Sequence, residues 1–554
     1  MERLKSLFTN FYDSVENSSN VREKIVFLLF CISTVLLSFF HEPWFDEIQA
    51  WEISRESIYN ILFFIPHYEG HPPLWHLILK IFSSLNLYPD LGIQIPNLFF
   101  MSIAVWLLVF KSPFPKIIRL CLPFTYFIFY QYSIISRPYS LFCLAIFLCA
   151  FLYKTKDTRP FRFVCVLMLL CLSSAYGMLF SAGITLCWLF EIWNKQKIGS
   201  FCQTFIKDNR FYAMIILLLF AIGLAIMIIP VPNVYSLYFW EDLLWWQKIL
   251  AIFFCVPSDA LFTDFLRVID GGISPWHIGA FVITCLIGFL VNIILVYFFK
   301  KINKLWIFLI PYLFFLGFAF KYLQLHHFGL LLLFFIFAFW VVLPIQTEIK
   351  FSNKYKYIFS FGVVAFILIQ FSWSVSAFIT EIRFAYDTGK ATYAYLKENN
   401  LLDRKIMFGW AEFTYWQHKK TKKVISEVEK NMLFGDKDMY EEKIYLDLNP
   451  STIPITINTY AQKNLFCNYN IDAPERLYKL HLRISEEDAK LLKVRWAELC
   501  GKPDVIVKYK KNVLTLENKK VLTDEYKLLK TFYETYIWKN VVFNDVVQIY
   551  AREE

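Results

Sequence analysis

The sequence predicts an α-helical polytopic membrane protein that carries a C-terminal extracytoplasmic α/β domain. Three observations lead to this fold class. Of the 554 residues, 57% are hydrophobic and 60 are phenylalanine, far more than a soluble globular chain of this length needs. Long apolar runs recur between residues 25 and 380 and are separated by short basic loops. After about Glu381 the composition changes abruptly to Lys, Glu, Asn and Tyr.

About eleven apolar runs are long enough to cross the hydrocarbon core of a bilayer. They cover residues 25–40, 92–110, 117–135, 138–153, 163–177, 178–193, 212–230, 277–299, 305–320, 328–343 and 357–378. The first run lacks a small-residue cleavage site, so we expect it to remain as an anchor. If residues 1–24 are cytoplasmic, the basic loops between later runs lie on the same side, as the positive-inside rule requires.

The run at 72–88 is shorter, contains His76 and Lys80 and begins with two prolines. If it crossed the membrane, every later basic loop would move to the outer side, against the positive-inside rule. We therefore expect a juxtamembrane helix against the outer leaflet, with a buried Leu, Ile and Phe face and with Lys80 reaching the headgroups. The predicted domains are a transmembrane domain (25–380), whose outer loop spans 41–91, and an outer domain (381–554).

Short apolar runs in the outer domain alternate as strands do. They are KIMFGW, IYLDLN, DVIVKYK and VVFNDVVQIYA. The segment Thr388 to Asn399 reads as an amphipathic helix with Tyr393 and Leu396 on one face. Of the 12 cysteines, only Cys467 and Cys500 fall in this domain, where a disulfide between them is possible.

The outer loop crowds carboxylates and imidazoles beside apolar sequence, which is costly unless they have a function. Asp46 and Glu47 follow the first span, so one of them can face a water-filled cavity, partly desolvated by tryptophans, and act as a general base. The alternative is that both carboxylates mark the interface and face water. His71 precedes a Pro-Pro turn and can donate to a phosphate oxygen or ligate a metal, or it is a solvated loop histidine.

Arg137 lies between two predicted spans and is followed by Pro138 and Tyr139. A permanently charged guanidinium at the mouth of two helices suits a phosphate, although a headgroup anchor is the alternative. Lys321, His326 and His327 lie between two later spans and have the same two interpretations. Three tryptophans of the long outer loop at 231–276 can stack on a sugar or prenyl chain or anchor the interface, namely Trp240, Trp245 and Trp246.

Several function classes lack their motifs. The chain has no phosphate-cradling glycine loop, no HExxH and no nucleophile elbow, so an ATPase, a zinc protease and a serine hydrolase are unsupported. The net charge of +10 resides mainly in short loops, where it sets topology, and a nucleic-acid partner is therefore not expected.

The order of a span, WFDEIQAW, HYEGHPPLWH, a span, a basic loop and a span followed by SRPYSL resembles the glycosyltransferase C superfamily. It is most similar to the bacterial relatives of protein O-mannosyltransferases and lipid A aminoarabinose transferases. The resemblance is clearest over residues 25–155, and LQLHHFGLLLLF and YDTGKATYAYLKENNLLD are consistent with it. It implies a plasma-membrane enzyme, of a bacterial type, that transfers a sugar from a polyprenyl-phosphate donor on the extracytoplasmic face.

The resemblance also implies roles for residues. Asp46 becomes the catalytic base with Glu47 its neighbour, and the acceptor is a glycan, lipid or protein. His71 becomes the counterpart of a basic residue that contacts the carrier phosphate, where the aminoarabinose transferases have Lys. Arg137 is placed at the active-site mouth. Further candidates for binding the substrate or the carrier phosphate are His67, Glu69, Tyr139, Lys321, His326 and His327.

No cofactor or dedicated metal site is expected, because the spacing matches no metal motif, although Glu47, Glu69 and the histidines could hold a divalent cation. Two other classes stay open. A lipid or polysaccharide transporter would also place charges near a membrane cavity. A non-catalytic membrane receptor or scaffold would use the outer domain to bind a partner.

Overall fold

The computed structural model describes residues 16, 20–195, 206–230, 244–264, 275–345, 352–410, 452–467, 503–510 and 526–553. Within these residues the protein is mostly helical and has one small mixed sheet near the C-terminal end. The helices are α1 (Val21–Ser38), α2 (Phe45–Arg55), α3 (Pro66–Glu69), α4 (Leu74–Ser83), α5 (Pro89–Lys111), α6 (Lys116–Cys121), α7 (Tyr139–Leu152), α8 (Pro160–Ser173), α9 (Ala175–Lys195), α10 (Asn209–Met227), α11 (Trp245–Leu250), α12 (Val256–Leu261), α13 (Pro275–Lys301), α14 (Leu305–Ala319), α15 (Phe328–Val342), α16 (Asn353–Arg383), α17 (Gly389–Glu398) and α18 (Thr452–Ala461).

Six of the described helices are long and apolar enough to cross a membrane: α5, α9, α10, α13, α15 with the turn before it, and α16. Helices α10, α13 and α16 expose much of their apolar surface, which a lipid environment would cover. The long apolar helices therefore indicate a multi-pass membrane protein. Three further predicted spans correspond to the shorter apolar helices α7, α8 and α14, and the first corresponds to α1. The count of about eleven spans stays a prediction.

The segment predicted as a span at 117–135 is not one continuous helix. A 3₁₀ turn at Leu122–Phe124, which contains Pro123, interrupts it, and a π-helical turn at Phe127–Gln131 follows. The carbonyl groups exposed by this break are bound by side chains of neighbouring helices. Ser374 donates to Phe124 O at 2.7 Å, Gln94 to Ile134 O at 2.9 Å and Asn97 to Ser133 O at 2.8 Å. Irregular backbone inside a helical bundle is tolerated where the protein supplies such partners.

Basic side chains collect at the end of the bundle where α1 begins. They form buried or half-buried ion pairs with acidic groups there: Lys116 and Arg119 with Glu23, Lys156 with Glu191, and Arg210 with Asp157. The opposite end of the bundle holds the end of α1 and the start of α7, which the functional site uses. These three basic loops thus share one end, and the side of the membrane on which that end lies stays a prediction.

Helix α4 confirms the helix predicted at 72–88, but its surroundings differ from the prediction. Trp75, His76 and Leu79 are buried, whereas Ile81 is exposed. The ammonium group of Lys80 donates to the carbonyl oxygens of Ser54 and Glu56 at 3.3 and 2.6 Å. In place of the predicted reach toward headgroups, Lys80 therefore caps the C-terminal end of α2, where the helix dipole favours a cation.

The C-terminal sheet has the order β1-β2-β4-β3. Its strands are β1 (Ile406–Trp410), β2 (Val505–Lys510), β3 (Tyr526–Trp538) and β4 (Val541–Arg552). β1 pairs with β2 in parallel, and the other pairs are antiparallel. Val505 and Val507 of β2 and Val547 and Ile549 of β4 pack in its core with Leu396 of α17.

Three of the predicted strands are confirmed as β1, β2 and β4, and the predicted amphipathic helix is confirmed as α17. Strand β3 and helix α18 are structures that the sequence reasoning did not predict. The predicted strand IYLDLN lies outside the described residues. Cys467 is disulfide-bonded, and Cys500 lies outside the described residues.

The tip of the β3–β4 hairpin lies inside the helical bundle. Trp538 packs its ring 5.7 Å from that of Tyr126 and donates its Nε1 hydrogen to Asp264 at 2.9 Å. Lys539, at φ 55°, is fully buried, and its Nζ donates to the carbonyl oxygens of Asp259 and Thr263, both at 2.6 Å. The sheet domain is thereby attached to the bundle by a polar contact as well as by apolar packing.

We expect Lys539→Asn to lower the free energy of unfolding by about 2 kcal/mol, because two buried carbonyl groups lose their donor. Asn tolerates the left-handed backbone of this position, so the change isolates the ammonium group. Thermal unfolding of the detergent-solubilised protein measures the effect, with Lys527→Gln on the exposed face of β3 as the control. Equal midpoints for both variants would contradict a stabilising role for Lys539.

Candidate active site

Helix α2 places two carboxylates at the start of its first turn. Its N-cap, Trp44, has an extended backbone, and its N–H donates to the Glu47 side chain at 3.1 Å. Acidic residues are favoured at this end of a helix by the backbone dipole. Further along α2, Trp51 packs against Gly92 of α5 so closely that a Cβ at Gly92 would lie 2.3 Å from the indole ring. This contact fixes how α2 lies on the bundle.

Asp46 and Arg137 form an ion pair. Arg137 belongs to the turn before α7 and donates from Nη1 to Oδ2 of Asp46. The Arg137 side chain is 17% exposed and the Asp46 side chain is 25% exposed, so the pair is half-buried but reachable from solvent. Burial disfavours the charged form of Arg137, but Asp46 together with Tyr139 and Tyr322 outweighs this and raises the pKa of Arg137 above the usual value. The guanidinium is therefore held charged beside a carboxylate that can be reached.

The structure groups most of the predicted site residues around this pair, in what we call the Arg137 cluster. Its members are Asp46, Glu69, His71, His76, Arg137, Tyr139, Tyr322, His326 and His327. Arg137 acts electrostatically on His76, Tyr322 and both histidines of the 326–327 pair, and His71 acts on the same pair. Segments far apart in the sequence thus meet at one end of the bundle.

The hydrogen bonds of His327 determine which of its nitrogens carries a proton. The Gln324 backbone N–H donates to its Nδ1 at 2.9 Å, so Nδ1 is an acceptor. Nε2 then carries the hydrogen and donates it to the Tyr139 oxygen at 3.0 Å. His327 is consequently neutral in this arrangement. The hydroxyl hydrogen of Tyr139 is left available to donate to another group.

Other members of the cluster are also neutral near pH 7. Burial, and secondly the charge of Arg137, lower the pKa of His76 to about 4. Burial raises the pKa of Tyr322 to about 12, opposed by Arg137 and reinforced by Asp46 and Glu69. Arg137 is thus a permanent cation among neutral aromatic and imidazole rings, where its field is poorly screened.

The remaining predicted site residues have different surroundings. Glu69 accepts a hydrogen bond from Gln49 of α2 at 2.8 Å, which ties the loop before α4 to the helix that carries Asp46. His67 donates from Nδ1 to Ile229 O at 2.7 Å, after the end of α10. Lys321 is exposed, and no contact between described residues joins its ammonium group to the Arg137 cluster.

The tryptophans predicted as a stacking surface contribute little to the described site. Trp245 and Trp246 lie at the start of α11, and both are exposed. Trp240 lies outside the described residues. Just before His71, Gly70 ends α3 in the left-handed conformation at φ 63°, and its N–H donates to Pro66 O at 2.9 Å.

Glu47, predicted as part of the catalytic pair, is fully buried. Its Oε1 accepts the Ser136 N–H at 2.6 Å, and its Oε2 lies 2.9 Å from Nε2 of His41. On its other side, His41 Nδ1 lies 2.7 Å from Glu381, which accepts the hydroxyl of Tyr130 at 2.5 Å. We call Glu47, His41 and Glu381 the buried relay. Both Glu47 oxygens are occupied by protein groups, so direct contact with a substrate is not available to it in this arrangement.

Sequence reasoning missed three contributors: His41, Glu381 and Tyr130. Glu381 could have been found, because a carboxylate near the end of a long apolar helix is costly without a buried partner. Burial alone would lower the pKa of His41, but Glu47 and Glu381 outweigh it and raise that pKa well above the ordinary value.

A second group of carboxylates lies where the bundle meets the sheet domain; we call it the acidic seam, formed by Glu42, Asp90, Asp387 and Glu534. Asp90 accepts from Lys390 and from the hydroxyl of Tyr460, both at 2.7 Å. Glu534 accepts from the hydroxyl of Thr388 at 2.7 Å. Burial and mutual repulsion raise the pKa of Asp387 and that of Glu534.

In the described residues, no group of three or more His, Cys, Asp or Glu side chains is arranged to hold a metal ion. Comparison with known protein families finds no family model that matches the chain, and comparison with curated proteins finds no match. The chemistry of the site is therefore the basis for inferring what the protein does.

Burial raises the pKa of Glu42 from an ordinary 4.5 to about 7, which Lys390 and His41 oppose and Asp90 and Glu534 reinforce. The folded protein therefore binds a proton that the unfolded chain has lost, and stability falls as the pH rises through that interval. We expect Glu42→Gln to be more stable than the wild type at pH 8 and to lose this advantage near pH 5. Unfolding midpoints at both pH values test this, with exposed Glu398→Gln as the control. A pH-independent difference would contradict it.

Proposed function

We propose that the protein is an integral membrane glycosyltransferase that transfers a sugar from a polyprenyl-phosphate donor to an acceptor glycan, lipid or protein on the extracytoplasmic face. The observation that carries the proposal is the half-buried Asp46–Arg137 pair at one end of an apolar helical bundle. A lipid-linked sugar phosphate needs an apolar surface for its chain, a cation for its phosphate and a base for the acceptor. The Arg137 cluster offers the cation and the base, and it lies beside the apolar surface of the helical bundle.

The pairing of Asp46 with Arg137 suggests how the donor would enter. A carrier phosphate has acceptor oxygens that match the guanidinium fork and would compete with Asp46 for it. Binding of the phosphate would then release the Asp46 carboxylate from its cation. The carboxylate would be free to accept a proton once the donor is in place, so the same contact would bind the donor and free the base.

In the proposed reaction, Asp46 accepts the proton of an acceptor hydroxyl, whose oxygen forms a bond to the anomeric carbon. The bond between that carbon and the phosphate oxygen breaks, and its electron pair leaves with the polyprenyl phosphate. Attack from the face opposite the leaving group inverts the anomeric centre. Arg137 would stabilise the charge on the departing phosphate, and the available hydroxyl hydrogen of Tyr139 could donate to the same group.

Two structural features support the extracytoplasmic side for this site. The basic helix ends are paired at the opposite end of the bundle, where the positive-inside rule favours the cytoplasm. The disulfide bond of Cys467 belongs to an oxidising compartment, and Cys467 lies in the domain on the site's side. A glycosyltransferase C architecture with about eleven spans and an outer surface helix α4 is part of the same proposal.

Purified protein in lipid nanodiscs, given a panel of polyprenyl-phosphate sugars and candidate acceptors, tests the proposal by release of polyprenyl phosphate. We expect release with at least one donor, and we expect it to depend on the acceptor. A transporter would instead move the lipid across vesicle membranes without breaking the sugar–phosphate bond. A receptor or scaffold would do neither.

We expect Asp46→Asn to lower turnover by about 10²–10⁴-fold, because the acceptor loses its general base. The matched control is Glu52→Gln. Glu52 lies on the same helix, and its carboxylate pairs with Arg55. Initial rates of polyprenyl-phosphate release measure both variants at equal folded protein. Wild-type turnover in Asp46→Asn would eliminate this residue as the base.

A further inference from the structure

The buried relay touches the Asp46–Arg137 pair through the residues next to each partner. Glu47 follows Asp46 in the chain, and Ser136 precedes Arg137. The Ser136 N–H donates to Glu47 Oε1 at 2.6 Å, so one hydrogen bond ties the backbone next to Arg137 to the side chain next to Asp46. The register of α2 against the turn before α7 is therefore set one residue away from the pair itself.

The relay extends away from the pair through His41. Its two ring nitrogens face carboxylate oxygens, Nε2 that of Glu47 at 2.9 Å and Nδ1 that of Glu381 at 2.7 Å. Burial alone would lower the pKa of His41, but these two carboxylates raise it well above the ordinary value, so the ring is an imidazolium that donates from both nitrogens. All three side chains are shielded from solvent, where such charge-assisted contacts are strong and the loss of one partner is costly.

The far end of the relay lies where the chain leaves the bundle for the sheet domain. Glu381 is two residues before the end of α16. It also accepts a hydrogen bond from the hydroxyl of Tyr130, which lies in the interrupted helical segment at 117–135. Tyr386, just beyond α16, packs its ring 5.2 Å from that of His41 and 6.3 Å from that of Trp44. The segment that leads from α16 into the sheet domain therefore contacts His41, the residue that binds Glu47.

We infer that Glu47, His41 and Glu381 are positioning residues that hold Arg137 and Asp46 in register and make that register depend on how the sheet domain leaves the bundle. This inference rests on the proposed function, which supplies the reaction that the pair performs. It reassigns Glu47, which sequence reasoning placed in the catalytic pair, to a role exerted through Ser136. A displacement of a reacting group by about 1 Å can cost about 10²-fold in rate.

The test is a double-mutant cycle on turnover that combines Glu47→Gln with Arg137→Lys. We expect Glu47→Gln alone to lower kcat by about 10²-fold while the donor KM changes little. Arg137→Lys alone should cost about 10²–10³-fold. If the relay acts by holding Arg137 against Asp46, the double variant loses less than the product of the two single losses, because the register matters less once the guanidinium fork is gone. Losses that multiply would overturn the inference.

A matched control separates positioning from loss of stability. Glu191→Gln breaks another buried carboxylate pair, that of Glu191 with Lys156 at 2.8 Å, at the opposite end of the bundle. We expect Glu381→Gln to lower kcat while Glu191→Gln, at equal folded protein, leaves it within about 3-fold of the wild type. Equal loss of kcat in both variants would show that the relay only stabilises the fold.

Readouts without turnover distinguish failure of this inference from failure of the proposed function. If the wild type releases polyprenyl phosphate from no donor, the proposed function fails. The unfolding midpoints of the wild type, both single variants and the double variant are then measured. Non-additive shifts show coupling between Glu47 and Arg137 and support the relay, whereas additive shifts overturn it. Nitrogen NMR of histidine-labelled protein, assigned with His41→Gln, should show an imidazolium at pH 8. A neutral ring overturns the relay in either case.

Discussion

The charge of Arg137 is the constraint around which the site is arranged. A guanidinium that is mostly buried at one end of an apolar bundle needs a partner, and Asp46 provides one from the first turn of a neighbouring helix. Two neighbouring imidazole rings add no further positive charge. His76 and His327 are neutral for identifiable reasons, the first by burial and the second by its hydrogen bonds. The site therefore concentrates one positive charge where an anionic group can compete for it.

Two buried cationic side chains lie where the sheet domain meets the bundle. Lys539 enters the bundle from the hairpin tip and is bound by backbone carbonyl groups. His41 lies within the bundle, under Tyr386, and is bound by two carboxylates. Since buried ionic contacts tolerate little displacement, both contacts restrict how the sheet domain can move relative to α16 and α2.

Composition and charge predicted the helical membrane class, a helix within 72–88 and three strands, because these depend on local periodicity and on loop charge. The grouping of Asp46, His71, Arg137 and His327 followed from placing their loops on one face. The break near Pro123 was missed, because its carbonyl partners come from distant helices. The role of His41 was missed for the same reason, since Glu381 lies 340 residues away in the chain.

Glu47 shows why a motif alone does not assign a role within it. Adjacent residues of a helix point about 100° apart, so of two neighbouring carboxylates only one can face a given cavity. Here Asp46 points to Arg137 and solvent, whereas Glu47 points inward to Ser136 and His41. Under the proposed function, the exposed member performs the proton transfer and the buried member keeps it in place. The acidic pair is then one unit with two different tasks, and both tasks depend on the same turn before α7.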